Sequence, residues 1–253
     1  MVASLEVDQG LPLPWHTLGG ACIIEALPRS AAIAQGTCTM TIHATKLHRP
    51  RPRASWIVRP RLLARLNRGL EDGQRLILIS APAGAGKTTV LAHWLDATQA
   101  HTAWLSLDAD DDEPNRFWTC FVLAIQSVLP GAGGEALAAL ASPAPPPIAA
   151  LLPDLLNEIG ARRERLIVVL DDYHVLGSRA IHEGVGGLVD RLPEQMRLVI
   201  CTRADPVLPI PRWRARGELT EVRAADLRFT AEEARVFLNE PMALGLEPAD
   251  VRQ

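Results

Sequence analysis

Residues 76–89 read Leu-Ile-Leu-Ile-Ser-Ala-Pro-Ala-Gly-Ala-Gly-Lys-Thr-Thr, and this stretch decides the fold. It begins with a short apolar run that is typical of a buried strand. Residues 81–88 then follow the phosphate-loop pattern G-x-x-x-x-G-K-[ST], with Ala81 in place of the first glycine. The residues from Lys87 onward predict a helix over about 87–98. A strand before this pattern and a helix after it are the setting in which it binds phosphates.

The residue types of this loop suit a polyphosphate ligand. Glycine at positions 84 and 86 lets successive N–H groups point inward and leaves no Cβ near the phosphates. The helix that follows adds its free N–H groups and its positive dipole end. Lys87 suits the β- and γ-phosphates, Thr88 suits Mg²⁺, and Thr89 suits the α-phosphate. A glycine-rich turn without any ligand is the alternative. The predicted nucleotide-binding residues here are Ala81, Pro82, Ala83, Gly84, Ala85, Gly86, Lys87, Thr88 and Thr89.

Strands and helices alternate on both sides of the loop. Continuously apolar strands separated by helices predict a mostly parallel five-stranded sheet covered on both faces, which is an α/β three-layer fold of the P-loop NTPase kind. We expect connections without helices over 130–147 and 203–217. The predicted strands are 76–80, 102–107, 165–170, 197–202 and 219–222; the predicted helices begin at Pro60 and Thr230 or span 87–98, 115–129, 148–162 and 178–191. In this division residues 1–45 form a poorly ordered leader, 46–225 the nucleotide-binding domain, and 226–253 the start of a helical lid region.

Two carboxylates end the predicted strand near residue 170. Because ligands bind beyond the carboxyl ends of parallel strands, Asp171 and Asp172 should lie beside the phosphate loop. Asp171 suits Mg²⁺, and Asp172 suits a base or water-orienting role. The next strand delivers Arg203 to the same edge, where an arginine stabilises the γ-phosphate. The alternatives are that the two carboxylates only cap a turn, and that Arg203 only pairs with Asp205.

The composition excludes several other classes of protein. The chain has 253 residues and a formal net charge of −3, which leaves no global nucleic-acid footprint. Its apolar runs are far shorter than the ~18 residues of a membrane span, and no basic start precedes an apolar stretch. The cysteines form no C-x-x-C pair, so we expect reduced thiols in a cytoplasmic protein. They are Cys22, Cys38, Cys120 and Cys201.

Lysine is rare in this chain. Of 26 basic residues only Lys46 and Lys87 are lysines. Lys46 falls in a predicted linker, where we interpret it as incidental. It opens a basic stretch, 46–75, with eight arginines against two carboxylates. This stretch is interpreted as a solvated entry segment plus a helix, and the alternative is a nucleic-acid patch.

Five stretches together resemble one family. They are 81–89, 103–108, 170–174, 201–206 and 226–230. In combination they are similar to the N-terminal nucleotide-binding domain of the large ATP-binding LuxR-type (MalT-like) transcription regulators. These regulators belong to the STAND class of signal-transducing P-loop ATPases.

The resemblance implies a switch that binds ATP or ADP with Mg²⁺, self-associates in the ATP form and resets by slow hydrolysis. Lys87, Thr88 and Asp171 match the family's phosphate and magnesium positions, and Arg203 matches the arginine after the fourth strand. The segment 57–60 matches the entry motif near the adenine. The resemblance therefore also makes Val58 and Arg59 cofactor-binding residues.

The family continues with modules that these 253 residues do not contain. The chain accordingly resembles a truncated fragment, and no direct DNA binding is expected of it. We predict a switch domain with weak ATPase activity at most. One alternative is a P-loop enzyme such as a small-molecule kinase, for which Asp172 is the only candidate acceptor base. The other alternative is a non-catalytic interaction module.

Overall fold

The computed structural model describes residues 43–53 and 56–239. The predicted leader over 1–45 lies almost entirely outside the described residues, as does the predicted helical region from residue 240 onward. Both therefore stay predictions.

A five-stranded sheet forms the centre of the described chain, and every strand pairing in it is parallel. The strand order is β2-β3-β4-β1-β5, so the strand before the phosphate loop lies between β4 and β5. The predicted α/β fold with a parallel sheet is confirmed. The strands are β1 (Leu76–Ser80), β2 (His101–Ser106), β3 (Leu166–Asp171), β4 (Met196–Thr202) and β5 (Leu219–Arg223).

Helices connect the strands, as parallel pairing requires. Each predicted helix is present, with ends that differ from the prediction by at most a few residues. The α-helices in the described part of the chain are α1 (Pro60–Glu71), α2 (Lys87–Asp96), α3 (Pro114–Gln126), α4 (Gly134–Leu140), α5 (Ile148–Gly160), α6 (Arg179–Arg191), α7 (Ile210–Ala215) and α8 (Ala231–Asn239). Short 3₁₀ turns occur at Ala44–Leu47, Ala109–Asp112 and Tyr173–Val175.

Both faces of the sheet are buried. On one face, Leu66 of α1 and Trp94 of α2 pack into a cluster with Ile79 and Val169 of the strands. The opposite face is also covered, because the alternate residues of the three inner strands are buried, and α3 lies against β2 and α6. Each such leucine or isoleucine contributes roughly 1.5–3 kcal/mol by leaving water. This burial fixes the carboxyl ends of β1, β3 and β4 at one edge of a rigid sheet.

The prediction of a connection without a helix over 130–147 is wrong in part, because α4 lies within it. Gly133 precedes the helix with φ of 71°, a left-handed conformation that suits glycine. Its N–H donates to the carboxylate of Glu158 on α5 at 2.8 Å. Ala136 and Leu140 are buried, so tertiary contacts stabilise a helix that is too short to form alone.

The connection over 203–217 also contains a helix, α7. Pro211 lies in its first turn, where the missing N–H costs nothing. Trp213 is fully buried, and its ring N–H donates to Asp190 of α6 at 2.8 Å. A single large side chain therefore anchors this short helix.

Lys46 is not incidental. It is only 8% exposed, and its Nζ lies 2.8 Å from Asp108 Oδ2 and 2.5 Å from Asp111 Oδ2. Burial alone would lower the pKa of Lys46, but the hydrogen bonds to the two carboxylates outweigh it and raise the pKa. Asp111 is completely buried and also accepts from Arg116. The lysine thus anchors its segment to the loop that follows β2.

The basic stretch 46–75 is less solvated than predicted. Arg49 donates to Asp96, Arg65 to Asp226, and Arg61 to Glu233. With Lys46 and Arg59, which are also paired, much of the positive charge is balanced within the molecule. This balance disfavours the alternative of a nucleic-acid patch.

No helix that the structure describes is both long and apolar enough to cross a membrane.

Candidate functional site

The phosphate loop joins β1 to α2 at the carboxyl edge of the sheet. Gly84 and Gly86 adopt φ of 77° and 83°, the left-handed region that other residues avoid. A Cβ built on either glycine would meet no protein atom within 4 Å. Backbone conformation therefore requires glycine at both positions, and packing against the protein does not. Open space of this kind over backbone N–H groups suits an anionic ligand.

Lys87 is the first residue of α2, and its side chain folds back over the loop. Its Nζ donates to the carbonyl oxygens of Ala81 at 2.8 Å and Pro82 at 3.0 Å, and the residue is 8% exposed. No carboxylate in the described part of the chain lies within 4 Å of this ammonium. The loop thus presents a buried positive charge whose hydrogen-bond partners are neutral carbonyl groups.

Thr88 and Asp171 come together as predicted. The Thr88 hydroxyl lies 3.4 Å from Asp171 Oδ2. Oxygen is the donor that Mg²⁺ prefers, and neighbouring ligands of its octahedron are about 3 Å apart. No group of three or more His, Cys, Asp or Glu side chains among the described residues could hold a metal. This pair therefore fits Mg²⁺ in the way that phosphate sites do, with water and phosphate oxygens supplying the remaining ligands.

The pKa of Asp171 is raised to about 6, mainly by burial and next by the charge of Asp172. The N–H of Asp172, the hydroxyl of Thr88 and the charge of Lys87 oppose the shift. A cation bound beside Asp171 would lower its pKa again, because the cation favours the ionised carboxylate.

Asp172 has φ of 58°, and no other described residue except glycine has a positive φ. Its N–H donates to Asp171 Oδ1 at 3.1 Å, and its own carboxylate is half exposed. His174 Nδ1 lies 3.7 Å from Asp172 Oδ1. Burial lowers the pKa of His174, and the charges of Arg203 and Lys87 lower it further. Five side chains that the sequence predicts therefore converge on one edge of the sheet: Lys87, Thr88, Asp171, Asp172 and Arg203.

Arg203 follows β4 and is exposed. The alternative role for it, pairing with Asp205, is disfavoured because Asp205 is engaged elsewhere. That carboxylate accepts hydrogen bonds from Arg223 and, at 3.1 Å, from Ser80. Arg203 is thereby available to a ligand at the edge of the sheet.

The entry segment over 57–60 is held by contacts with the chain that follows β5. Val58 is 52% exposed. The guanidinium of Arg59 is buried and donates to the carbonyl oxygens of Leu227 at 2.8 Å and Arg228 at 2.7 Å, and to Glu233 at 3.1 Å. It also covers the ring of Phe229. Arg59 therefore holds the segment between β5 and α8, and a contact of Val58 and Arg59 with adenine stays a prediction.

Sequence reasoning missed the residues that hold the turn after Asp172. Asp112 accepts from the N–H groups of Gly177 and Ser178, and the hydroxyl of Tyr173 bonds to His182. The sequence does contain a signal for the role of Tyr173, because it is the chain's single tyrosine and directly follows the two carboxylates.

The parallel sheet, the glycine-rich loop after its inner strand β1 and the carboxylates at the end of β3 define the class: an α/β domain with the P-loop NTPase fold. A model of the AAA ATPase domain matches residues 56–201. Because the match spans more than half of the chain, the protein belongs to the AAA ATPase domain family.

Named relatives are regulators of transcription. The chain is 36% identical over 207 residues to the HTH-type transcriptional regulator MalT of Cronobacter sakazakii, and 35% identical over 206 residues to MalT of Yersinia enterocolitica. Each match covers 81% of this chain but 22% of the relative, so the chain spans about a fifth of the length of these relatives.

A solved structure supports the fold. It is a signal transduction ATPase with numerous domains (STAND) that carries a tetratricopeptide repeat sensor, from Pyrococcus horikoshii. The TM-score is 0.54 at 18% identity, over 80% of this chain and 28% of that one.

Proposed function

We propose that this chain is an ATP- and Mg²⁺-binding switch domain of a LuxR/MalT-type transcription regulator, with slow ATP hydrolysis. One observation carries the proposal: the ammonium of Lys87, bonded to neutral carbonyls, lies across a loop whose glycines leave open space, and the Thr88 hydroxyl lies 3.4 Å from the carboxylate of Asp171. The similarity to MalT supports the regulatory context.

Each side chain of the site has its own role in binding or hydrolysis. Lys87 leaves the two loop carbonyls for the β- and γ-phosphates. Thr88 and Asp171 hold Mg²⁺, which neutralises charge on the phosphates when bound. Asp172 accepts a hydrogen bond from water and orients it, and Arg203 offsets charge that develops on the γ-phosphate. Slow turnover fits a half-exposed Asp172, since solvent weakens its electrostatic interactions with the reacting groups.

Calorimetric titration of the chain with ATP, with and without Mg²⁺, tests the proposal. We expect binding that weakens at least ~10-fold when Mg²⁺ is removed and in the Asp171→Asn variant. A folded chain without measurable affinity for ATP would contradict the proposal and favour the non-catalytic interaction module.

The small-molecule kinase alternative is tested by turnover. Phosphate release from ATP alone, unchanged by added acceptors, supports the switch. Faster ATP consumption with one acceptor, accompanied by its phosphorylation, supports the kinase.

The context of the domain is part of the proposal. We infer a cytoplasmic protein that self-associates in the ATP form and does not contact DNA through this chain. Size-exclusion chromatography with ATP or ADP tests the first point, since only ATP should shift the elution volume. An identical elution volume in both nucleotides would contradict self-association.

A further inference from the structure

The turn that follows Asp172 is held by a buried polar bond. Tyr173 is 1% exposed, and its hydroxyl lies 2.9 Å from Nδ1 of His182 on α6. His182 is 7% exposed. An apolar pair of the same shape would pack here at little or no cost in stability. What the polar bond adds is direction, because it fixes the tyrosine ring relative to α6.

Both partners are uncharged at neutral pH. Burial lowers the pKa of His182 and raises the pKa of Tyr173. The bond therefore joins two neutral groups, and the imidazole tautomer sets which of them donates. A hydrogen bond with the backbone of Leu176 opposes the shift of His182. One imidazole thus contacts both ends of the 3₁₀ turn Tyr173–Val175.

The far end of the same loop has its own anchor. Asp112 Oδ1 accepts from the N–H groups of Gly177 at 2.8 Å and Ser178 at 2.7 Å. Because Asp112 lies in the turn after β2, the loop over 172–178 is held from both sides.

Asp172 needs such support, because its left-handed backbone costs of the order of 1 kcal/mol for a residue with a Cβ. The hydrogen bonds of its own backbone are to near neighbours in the chain: its N–H donates to the carboxylate of Asp171, and its carbonyl accepts from the Val175 N–H at 3.1 Å. If Tyr173 is free to move, Asp172 can relax and its carboxylate then points elsewhere.

We propose that Tyr173 and His182 are positioning residues for ATP hydrolysis, and that they act by fixing the backbone of Asp172 at the edge of the sheet. This inference rests on the proposed function. It predicts that loss of the Tyr173–His182 bond affects hydrolysis and not nucleotide binding. Nucleotide affinity, which depends on the loop and Lys87, stays unchanged, whereas the rate of hydrolysis falls.

The test is the Tyr173→Phe variant, which removes the hydroxyl and keeps the ring. At saturating ATP we expect kcat to fall roughly tenfold, with the Kd for ATP within about twofold of wild type, since small misplacements of a catalytic group cost this much. His182→Gln keeps an acceptor and should retain more activity than His182→Leu. In an Asp172→Asn background, Tyr173→Phe should cause no further loss.

Trp213→Phe is the matched control, because Trp213 also donates from a buried ring to α6. It should lower the melting temperature and leave kcat unchanged. A wild-type kcat in Tyr173→Phe, or a further loss in the Asp172→Asn background, overturns the inference alone. A wild-type chain that does not hydrolyse ATP overturns the inference together with the hydrolysis in the proposed function.

Discussion

The two lysines of this chain are equally buried, yet their surroundings differ. Lys46 and Lys87 are each 8% exposed. Lys46 lies between the carboxylates of Asp108 and Asp111. Lys87 donates to two neutral carbonyls of its own loop. The first charge is balanced inside the molecule, and the second is held ready for an anion from outside.

This difference separates a stabilising charge from a binding charge. A buried ammonium is costly unless it is paired. The structure lowers that cost at Lys46 with two carboxylates that come from a distant loop. It leaves Lys87 without a carboxylate in direct contact among the described residues, which is consistent with selection for ligand binding at the expense of stability.

The largest effect should come from Lys87→Ala. We expect the affinity for ATP to fall about 1,000-fold, which is about 4 kcal/mol, because the phosphates lose their ammonium partner. The melting temperature should stay the same or rise, since an unbalanced buried charge is removed. Calorimetry and thermal unfolding measure the two quantities. Unchanged ATP affinity would refute the assignment of the site.

Lys46→Met should lower the stability of the protein and leave its ATP affinity almost unchanged, the opposite of Lys87→Ala. We expect a loss of about 3 kcal/mol in the free energy of unfolding, since the buried carboxylate of Asp111 loses one partner. The affinity of the folded fraction for ATP should change little. Urea unfolding measures the loss, and Asp111→Asn provides the control, because the double variant should lose less than the sum of the two single losses. Additive losses would mean that the pair does not interact.

A smaller, pH-dependent effect should come from Glu233, another balanced charge. Burial would raise its pKa, but hydrogen bonds from Arg61, the Thr230 N–H and Arg59 lower it from 4.5 to about 2. The folded state therefore binds fewer protons than the unfolded state between these values. Its contribution is complete above pH 4.5 and is lost as pH falls toward 2.

Between pH 7 and pH 3 the wild type should lose about 2 kcal/mol more than Glu233→Gln. Urea unfolding at the two pH values measures this difference. Equal losses in both proteins would show that the cluster around Glu233 does not depend on its ionisation.

The smallest effect should be seen with DNA. Because the basic stretch 46–75 is paired internally, few of its charges can replace counterions on a phosphate backbone. We expect weak association, with a slope of log K against log salt smaller than about 2 in magnitude. A fluorescence titration at several salt concentrations measures the slope. A steep slope would show that the internal pairs open to nucleic acid.

Local patterns predicted most of the fold. The five strands and the longer helices follow from apolar runs and caps. The last helix, for example, begins directly after the predicted start at Thr230, whose hydroxyl accepts from the Glu233 N–H. The prediction failed at α4 and α7, because seven- and six-residue helices depend on burial and not on propensity.

The acidic run over 108–113 shows the same limit. Carboxylates directly before a helix suit the free N–H groups of its first turn. Only Glu113 accepts from that turn, through the N–H groups of Asn115 and Arg116. Asp111 binds Lys46, and Asp112 holds the loop after β3. A charge pattern predicts where carboxylates lie, but distant partners decide what each one does.

The sequence by itself determined the phosphate loop. Gly84, Gly86, Lys87 and Thr88 act through backbone conformation and neighbouring N–H groups, which are properties of a few consecutive residues. Only the tertiary structure decided that β1 lies beside β4, that Lys46 meets Asp111 and that Tyr173 meets His182. Such pairs depend on how the crossovers pack, and side chains that meet only after packing share no period or spacing in the sequence.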